Sequence, residues 1–175
     1  MNLGLLVIRL VVGLLFAGHG AQKLFGSFGG HGPEGTAAFF ESQGMRPGRL
    51  MARAAGAGEL VGGLMFAAGL LTPVAAALIS AVMFTAMWTV HAGKGLWATE
   101  GGVEYNLVLI AAAFAVTAIG AGDWSLDNAL GLDVAGVEWA VGELAVGMAG
   151  GVLTIALGRS TAHHGARGGQ PARGA

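Results

Sequence analysis

The segment that decides the fold is Leu3–Ala21, LGLLVIRLVVGLLFAGHGA, in which Arg9 is the only formally charged side chain. A helix needs about 20 apolar residues to cross the hydrocarbon core of a bilayer. The segment lacks the basic start of a secretory signal, and Arg9 interrupts its apolar run, so we expect no cleavage. It therefore predicts a first transmembrane helix.

The rest of the chain has the same character, with 54% hydrophobic and 11% charged residues among 175 and a mean hydropathy of +0.68. Soluble domains carry about 25% charged residues, so this chain cannot cover a water-facing surface. The 33 glycines suit membrane helices, which glycine allows to approach closely. The absence of cysteine excludes disulfides, thiolate metal sites and thiol redox chemistry by the chain itself. A net charge of −1 gives no indication of nucleic-acid binding.

These features predict an all-α integral membrane helical bundle in one domain, residues 1–158, with a disordered cytoplasmic tail, residues 159–175. The predicted spans cover residues 3–21, 54–71, 73–92, 103–121 and 137–157. Thr72-Pro73 leaves almost no loop between the second and third spans, which must therefore form a tight hairpin.

Two segments between the first and second spans are also informative. The glycine-rich stretch 25–35 lacks the Gly-Lys-Ser/Thr of a phosphate loop and predicts a flexible turn. After it, we expect Thr36 to cap a short helix that carries Phe39 and Phe40 and lies in the membrane interface.

Orientation follows from the basic residues, which favour cytoplasmic loops. Eight of the nine fall on one side of the five spans: Lys23, Arg46, Arg49, Arg53, Lys94, Arg159, Arg167 and Arg173. The opposite side carries no Lys or Arg in its loops and holds four acidic residues: Asp123, Asp127, Asp133 and Glu138. We therefore expect a bacterial inner-membrane protein with its N-terminus outside and its C-terminus in the cytoplasm. Four tryptophans then fall at the two interfaces, as in an aromatic belt: Trp88 and Trp97 inside, Trp124 and Trp139 outside.

The first span carries three polar residues, Arg9, His19 and Lys23, which share one helical face with Gly13 and Gly20. Charged groups in hydrocarbon are costly and normally face the bundle interior. We therefore expect this face to look inward. The structural alternative for Lys23 is that its stem runs along the membrane and places the ammonium at the headgroups.

Three further ionisable groups fall in the same layer near the cytoplasmic side: Glu59, His91 and Glu104. Glu59 shares a face with glycines, and we expect it within hydrogen-bonding reach of His19, directly or through one water, facing a cavity. His91 and Glu104 also have structural interpretations, His91 as an interfacial polar residue and Glu104 as a carboxylate favoured at a helix N-terminus. Together with His19 these groups make four, and they are scattered over four helices without an HxxxH or ExxH pair. This pattern argues against a metal ion or haem.

In the outer half, Arg9 and Glu143 lie at equal depth, about 9 Å from the outer surface at about 1.5 Å per residue. Guanidinium and carboxylate can share two hydrogen bonds in a site without water. We therefore expect a structural ion pair that holds the fifth helix against the first. The alternative is that Arg9 turns toward Glu59.

Several stretches together resemble the DoxX family of small bacterial membrane proteins: Arg9–Gly26, RLVVGLLFAGHGAQKLFG; Gly35–Ser42, GTAAFFES; Glu59 with its glycines; and Asp123–Asp127, DWSLD. The resemblance implies a four-helix core, to which this chain adds a fifth, C-terminal transmembrane helix. It also implies a link to membrane oxidoreductases, since a related member is the membrane subunit of a thiosulfate:quinone oxidoreductase.

The resulting hypothesis is a membrane component of a quinone-linked oxidoreductase system. His19, Glu59 and His91 would act in proton transfer, while Arg9, Lys23 and Glu104 would bind substrate. One alternative is a non-enzymatic scaffold that docks soluble redox enzymes at the cytoplasmic surface. A second is a small-solute or proton transporter. Substrate, electron donor and homo-oligomer formation stay open from the sequence.

The charge distribution makes the orientation testable. A reporter fused to the C-terminus should score cytoplasmic, because the tail carries three arginines and the opposite loop none. Fusions of phosphatase and fluorescent reporters measure this directly, with a fusion in the 123–136 loop as the opposite-side control. A periplasmic score for the C-terminal fusion would reverse the assignment.

Overall fold

The structure, a computed structural model, describes residues 2–167, with side chains through residue 160, and this part of the chain is helical without strands. Seven α-helices follow one another: α1 Asn2–Phe25, α2 Gly32–Ser42, α3 Gly48–Ala68, α4 Thr72–Thr89, α5 Glu104–Ile119, α6 Leu126–Ala129 and α7 Val137–Arg167. Two 3₁₀ turns lie at Ser27–Gly29 and Ala98–Glu100.

Four helices are long and apolar enough to cross a membrane: Asn2–Phe25, Gly48–Ala68, Thr72–Thr89 and Val137–Ser160. The fifth predicted span, α5, is apolar but has only 16 residues. Its rise is therefore about 24 Å, against a hydrocarbon thickness of about 30 Å. The protein is an integral membrane helical bundle, and α5 is the shortest of its five long helices.

Several helix boundaries differ from the prediction, and those of α2 and α7 change a role that was assigned from the sequence. Helix α2 begins at Gly32, with Pro33 in its first turn, so Thr36 lies inside the helix and does not cap it. Proline suits this position because its missing N–H would have no partner there. Helix α7 continues to Arg167, so residues 159–167 of the predicted disordered tail are helical; residues 168–175 lie outside the described part. Extending an existing helix is easier than starting one.

The long helices run between two ends of the bundle. The acidic end holds the start of α1, the α3–α4 turn and α6, joined by the Asn2–Asp123 and Leu71–Asp127 hydrogen bonds. The opposite, basic end holds the α2–α3 loop and the late part of α7, since the Arg46 N–H donates to the Gly158 carbonyl at 2.8 Å. Helices α1, α3, α4, α5 and α7 each connect these two ends.

Helices α1 and α3 pack with their backbones in contact. A Cβ built on Gly13 would lie 2.5 Å from the Gly63 carbonyl oxygen, and one on Gly20 would lie 2.6 Å from the Gly56 carbonyl oxygen. Only glycine allows this approach, because any side chain would force the helices apart. The predicted inward orientation of the glycine-bearing faces of both helices is confirmed.

Helix α7 packs against α4 and α5 instead of α1. A Cβ on Gly147 would lie 2.5 Å from that of Ser80, so α7 approaches α4 closely. Glu143 accepts a hydrogen bond from the Ser80 hydroxyl at 3.1 Å and is 3% exposed. The predicted Arg9–Glu143 ion pair is wrong, because equal depth does not make two helices neighbours.

Arg9 belongs instead to the acidic end. Its side chain is 1% exposed, and Nη2 donates to the Trp124 carbonyl at 2.5 Å. The guanidinium lies against Gly69 at the end of α3, where no side chain would fit, and interacts electrostatically with Asp127. The alternative of an Arg9–Glu59 contact is therefore wrong as well.

Asp127 organises this end of the bundle. Its carboxylate accepts hydrogen bonds from the Leu71 N–H at 2.6 Å, the Thr72 N–H at 3.0 Å and the Thr72 hydroxyl at 2.5 Å. Its own N–H donates to the Gly69 carbonyl at 2.8 Å. A carboxylate at the first N–H groups of a helix satisfies donors that have no partner within the helix. Asp127 thereby holds the α3–α4 hairpin and caps α4 from a distant segment.

Replacing Asp127 by alanine should destabilise the bundle by about 2–3 kcal/mol, because buried N–H groups of the α3–α4 turn lose their acceptor. The free energy of unfolding in mixed detergent micelles measures this change. Asp133→Ala, at an exposed position in the same loop region, is the matched control and should stay within about 0.5 kcal/mol of wild type. Equal effects of the two variants would contradict the capping role.

Candidate functional site

A cavity of about 370 Å³ opens between the helices at the basic end. Its wall is mostly apolar and is supplied by α1, α2, α3, α4, α5 and α7. Polar side chains form a minority of the lining: His19, Lys23, Glu59, Thr85, Thr89, His91, Tyr105, Asn106 and Thr154. An apolar cavity with a few convergent polar groups is the usual form of a small-molecule site.

The charged centre of the cavity is an ion pair between α1 and α3. Lys23 Nζ lies 2.8 Å from Oε1 and 2.5 Å from Oε2 of Glu59. The Glu59 side chain is 4% exposed and that of Lys23 is 25% exposed. The close packing at Gly20 and Gly56 places the two helices near enough for this pair. Its position in the cavity wall leaves the ammonium partly accessible to a ligand.

His19 lies at the rim of the same cavity and is exposed. Within the described residues His19 makes no direct hydrogen bond to Glu59, whose two carboxylate oxygens both accept from Lys23. The predicted contact through one water stays a prediction. One further turn along α1 brings Lys23 closer to the glutamate.

His91 reaches the cavity from the end of α4. Its Nδ1 lies 2.5 Å from the Gly101 carbonyl and, as the donor in the neutral ring, fixes the imidazole against the α4–α5 loop. The second ring nitrogen, Nε2, then carries an acceptor lone pair. Among the predicted site residues, the structure therefore brings His19, Lys23, Glu59 and His91 to one cavity.

Two predicted substrate-binding residues do not line this cavity. Glu104, at the first position of α5, accepts a hydrogen bond from the Ala98 N–H at 2.9 Å and so shapes its own loop. Its structural interpretation as a carboxylate at a helix N-terminus agrees with this position. Arg9 lies at the opposite end of the bundle, beside Trp124.

Helices α2 and α7 complete the wall. Phe39 and Phe40 of α2 line the cavity, and Thr154 contributes from α7. Close to Thr154, Gly158 packs against Met45, which is fully buried. The fifth long helix thus helps to enclose the cavity, a role that sequence reasoning did not assign to it.

Sequence reasoning also did not select Asn106 as a site residue, although Asn106 is 3% exposed and lines the cavity. The available signal was its position in the first turn of an apolar helix, close to the predicted polar layer. Within the described residues, no group of three or more His, Asp or Glu side chains could hold a metal ion.

Comparison with known proteins gives a family and one relative. The model of the DoxX family matches residues 4–92, which include Lys23, Glu59 and His91. A protein of Bacillus subtilis (strain 168) named "Putative oxidoreductase CatD" is 31% identical over 116 residues, covering 66% of this chain and 80% of that protein. No solved structure matches the chain.

The Lys23–Glu59 pair should be strongly coupled. Lys23→Met strands the buried Glu59 carboxylate and should destabilise the bundle by about 3 kcal/mol, whereas Lys23→Met with Glu59→Gln should cost much less. A double-mutant cycle on the free energy of unfolding measures the coupling.

The exposed pair Arg49–Glu34, at 3.0 Å with side chains 71% and 69% exposed, is the control for this cycle. Its coupling should stay below about 1 kcal/mol, since water screens both charges. A Lys23–Glu59 coupling no larger than this control would show that the pair is held only loosely.

Proposed function

We propose, since this chain belongs to the DoxX family, that it is the membrane component of a quinone-linked oxidoreductase system. The observation that carries the proposal is an apolar cavity with the Lys23–Glu59 pair in its wall. A quinone combines an apolar ring and tail with carbonyl oxygens that accept hydrogen bonds. The volume of 370 Å³ falls within the range of about 300–1,000 Å³ typical of small-molecule sites.

Each quinone that becomes a quinol takes up two electrons and two protons. In the proposed system the electrons come from a soluble redox enzyme at the basic end, since a chain without cysteine cannot carry them as thiols. The ammonium of Lys23 donates a hydrogen bond to one ring oxygen and increases its affinity for electrons.

Protons reach the ring through the chain's own side chains. Glu59 lies beside the ammonium, and His19 lines the same cavity one helical turn before Lys23 on α1. The imidazole of His19 can accept and release a proton, and in the proposal it passes protons toward the ring through Glu59. His91 Nε2 offers a second position for a proton at the α4–α5 wall.

The packing of the bundle supports this proposal over a transporter. A transported solute needs a path through both halves of the membrane, but the half toward the acidic end is filled by packed core side chains. Phe66, Ile79 and Val116 there are at most 1% exposed. A one-sided cavity suits a ligand that enters and leaves on the same side.

Filling the cavity tests the proposal. A Cβ on Gly58 meets no atom within 4 Å, and Gly58 lines the cavity, so Gly58→Leu places its side chain in that space without a backbone clash. Affinity for a short-chain quinone such as ubiquinone-1, measured by tryptophan quenching in nanodiscs, should fall about tenfold or more. Quinone that co-purifies with the protein, quantified after solvent extraction, should fall in parallel.

Gly142→Leu is the matched control, because its Cβ also meets open space but lies on the exposed face of α7. It carries the same change in helix propensity and should leave quinone affinity within about twofold of wild type. A wild-type protein that neither binds nor co-purifies with quinone would refute the proposal. Capture of a defined soluble reductase by such a protein would then support the scaffold alternative.

A further inference from the structure

Asn106 is a buried polar side chain whose hydrogen-bonding capacity is not met by the protein. It is 3% exposed, and its Oδ1 has no hydrogen-bond partner among the described residues. Its Nδ2 contacts Met83 Sδ at 3.4 Å, and a thioether sulfur is a weak acceptor. The amide therefore keeps both its donor and its acceptor capacity, whichever way it is flipped.

This unmet capacity lies at the cavity. Asn106, Met83 and His91 all contribute to its lining from α4 and α5. Other buried polar groups of the same helices are bonded within the protein: the Thr117 hydroxyl donates to the Ala113 carbonyl at 3.0 Å, and Ser80 donates to Glu143. An unpaired amide in apolar surroundings costs free energy, and a ligand with a polar atom at this wall would recover it.

The cavity thus has two polar stations on different pairs of helices. One is the Lys23–Glu59 pair on α1 and α3, and the other is Asn106 on α5 with His91, which follows the end of α4. Asn106 is the third residue of α5 and so lies at the end of that helix nearest the basic end of the bundle. Apolar side chains such as Phe16, Val82 and Leu109 form other parts of the cavity wall.

We propose that Asn106 is a ligand-binding residue that selects a compact ring with oxygen atoms at two opposite positions, of which one meets Lys23 and the other meets Asn106. This inference rests on the proposed function and specifies that the 1,4-dioxygenated head group of a quinone or quinol is held at both of its oxygen atoms. Fatty acids and phospholipids carry their polar atoms at one end only and leave the Asn106 amide unpaired.

The test compares two probes of similar size on two proteins. The probes are 2-methyl-1,4-naphthoquinone and 1-tetralone, a bicyclic ketone with a single oxygen. Asn106→Leu keeps the side-chain size and removes both hydrogen-bonding groups. It should weaken binding of the naphthoquinone about threefold to tenfold, the effect of one lost hydrogen bond, and leave binding of the ketone nearly unchanged. Binding is measured by tryptophan quenching in nanodiscs.

Two readouts separate ligand binding from a structural role. Without ligand, Asn106→Leu should unfold at the same temperature as wild type or higher, because it removes an unsatisfied polar group from the interior. Thr117→Val, which alters a buried hydroxyl of the same helix away from the cavity, should leave affinity for both probes unchanged. A lower unfolding temperature with equal loss for both probes would assign Asn106 a packing role and overturn the inference.

The remaining outcomes distinguish this inference from the proposed function. A wild-type protein that binds the naphthoquinone, together with an Asn106→Leu variant that binds it equally well, refutes the role of Asn106 alone. A wild-type protein that binds the ketone and the quinone equally refutes the two-oxygen selection. A wild-type protein that binds neither probe refutes the quinone-linked function, and the inference fails with it.

Discussion

The contact between α1 and α3 is the constraint on which the rest of the structure depends. Glycine at positions 13, 20, 56 and 63 lets the two backbones touch, and in a bilayer such packing replaces the hydrophobic effect as the force between helices. The same closeness allows Lys23 to neutralise Glu59 inside the bundle. Without it, each charge would be isolated in an apolar medium, which is costly. The close packing of α1 and α3 is therefore also what allows the two charges to be buried together.

The two ends of the bundle use polar groups differently. At the acidic end, the Asp127 carboxylate accepts from the first N–H groups of α4. Asn2, at the start of α1, and Asp123, in the loop after α5, donate hydrogen bonds to each other. These interactions close the structure. At the basic end, the helices leave a cavity, and its polar side chains include Asn106, whose amide oxygen has no hydrogen-bond partner in the described part of the chain. A hydrogen-bonded acidic end and a basic end with a cavity suit a membrane protein that would bind a ligand from one side.

Helix α7 lies outside the region that the family model matches. It approaches α4 closely at Gly147 and reaches the cavity with Thr154. Its buried carboxylate, Glu143, has one hydrogen bond from Ser80, and its second oxygen is unpartnered within the described residues. The added helix thus extends the wall of the site at the basic end while burying a polar contact near the acidic end.

Much of the fold could be predicted from the sequence, because hydropathy and helical periodicity are local properties. They identified the apolar helices and the inward face of α1 that carries Arg9 and Lys23. They also placed Glu59 and His91 at one depth, since a constant rise per residue converts position in the sequence into height in the membrane. The resemblance to the DoxX family, based on short motifs, is confirmed by the family match.

The partner of each buried charge was decided only by the tertiary structure. Depth along a helix does not determine which helices are neighbours around the bundle, so Arg9 was assigned to Glu143, although α7 packs against α4. It also does not determine which of two residues on one face reaches furthest, so His19 was preferred to Lys23 as the partner of Glu59. Asn106 appeared as an unsatisfied group only when every surrounding atom was in place, because hydrogen-bond satisfaction is a property of the assembled interior.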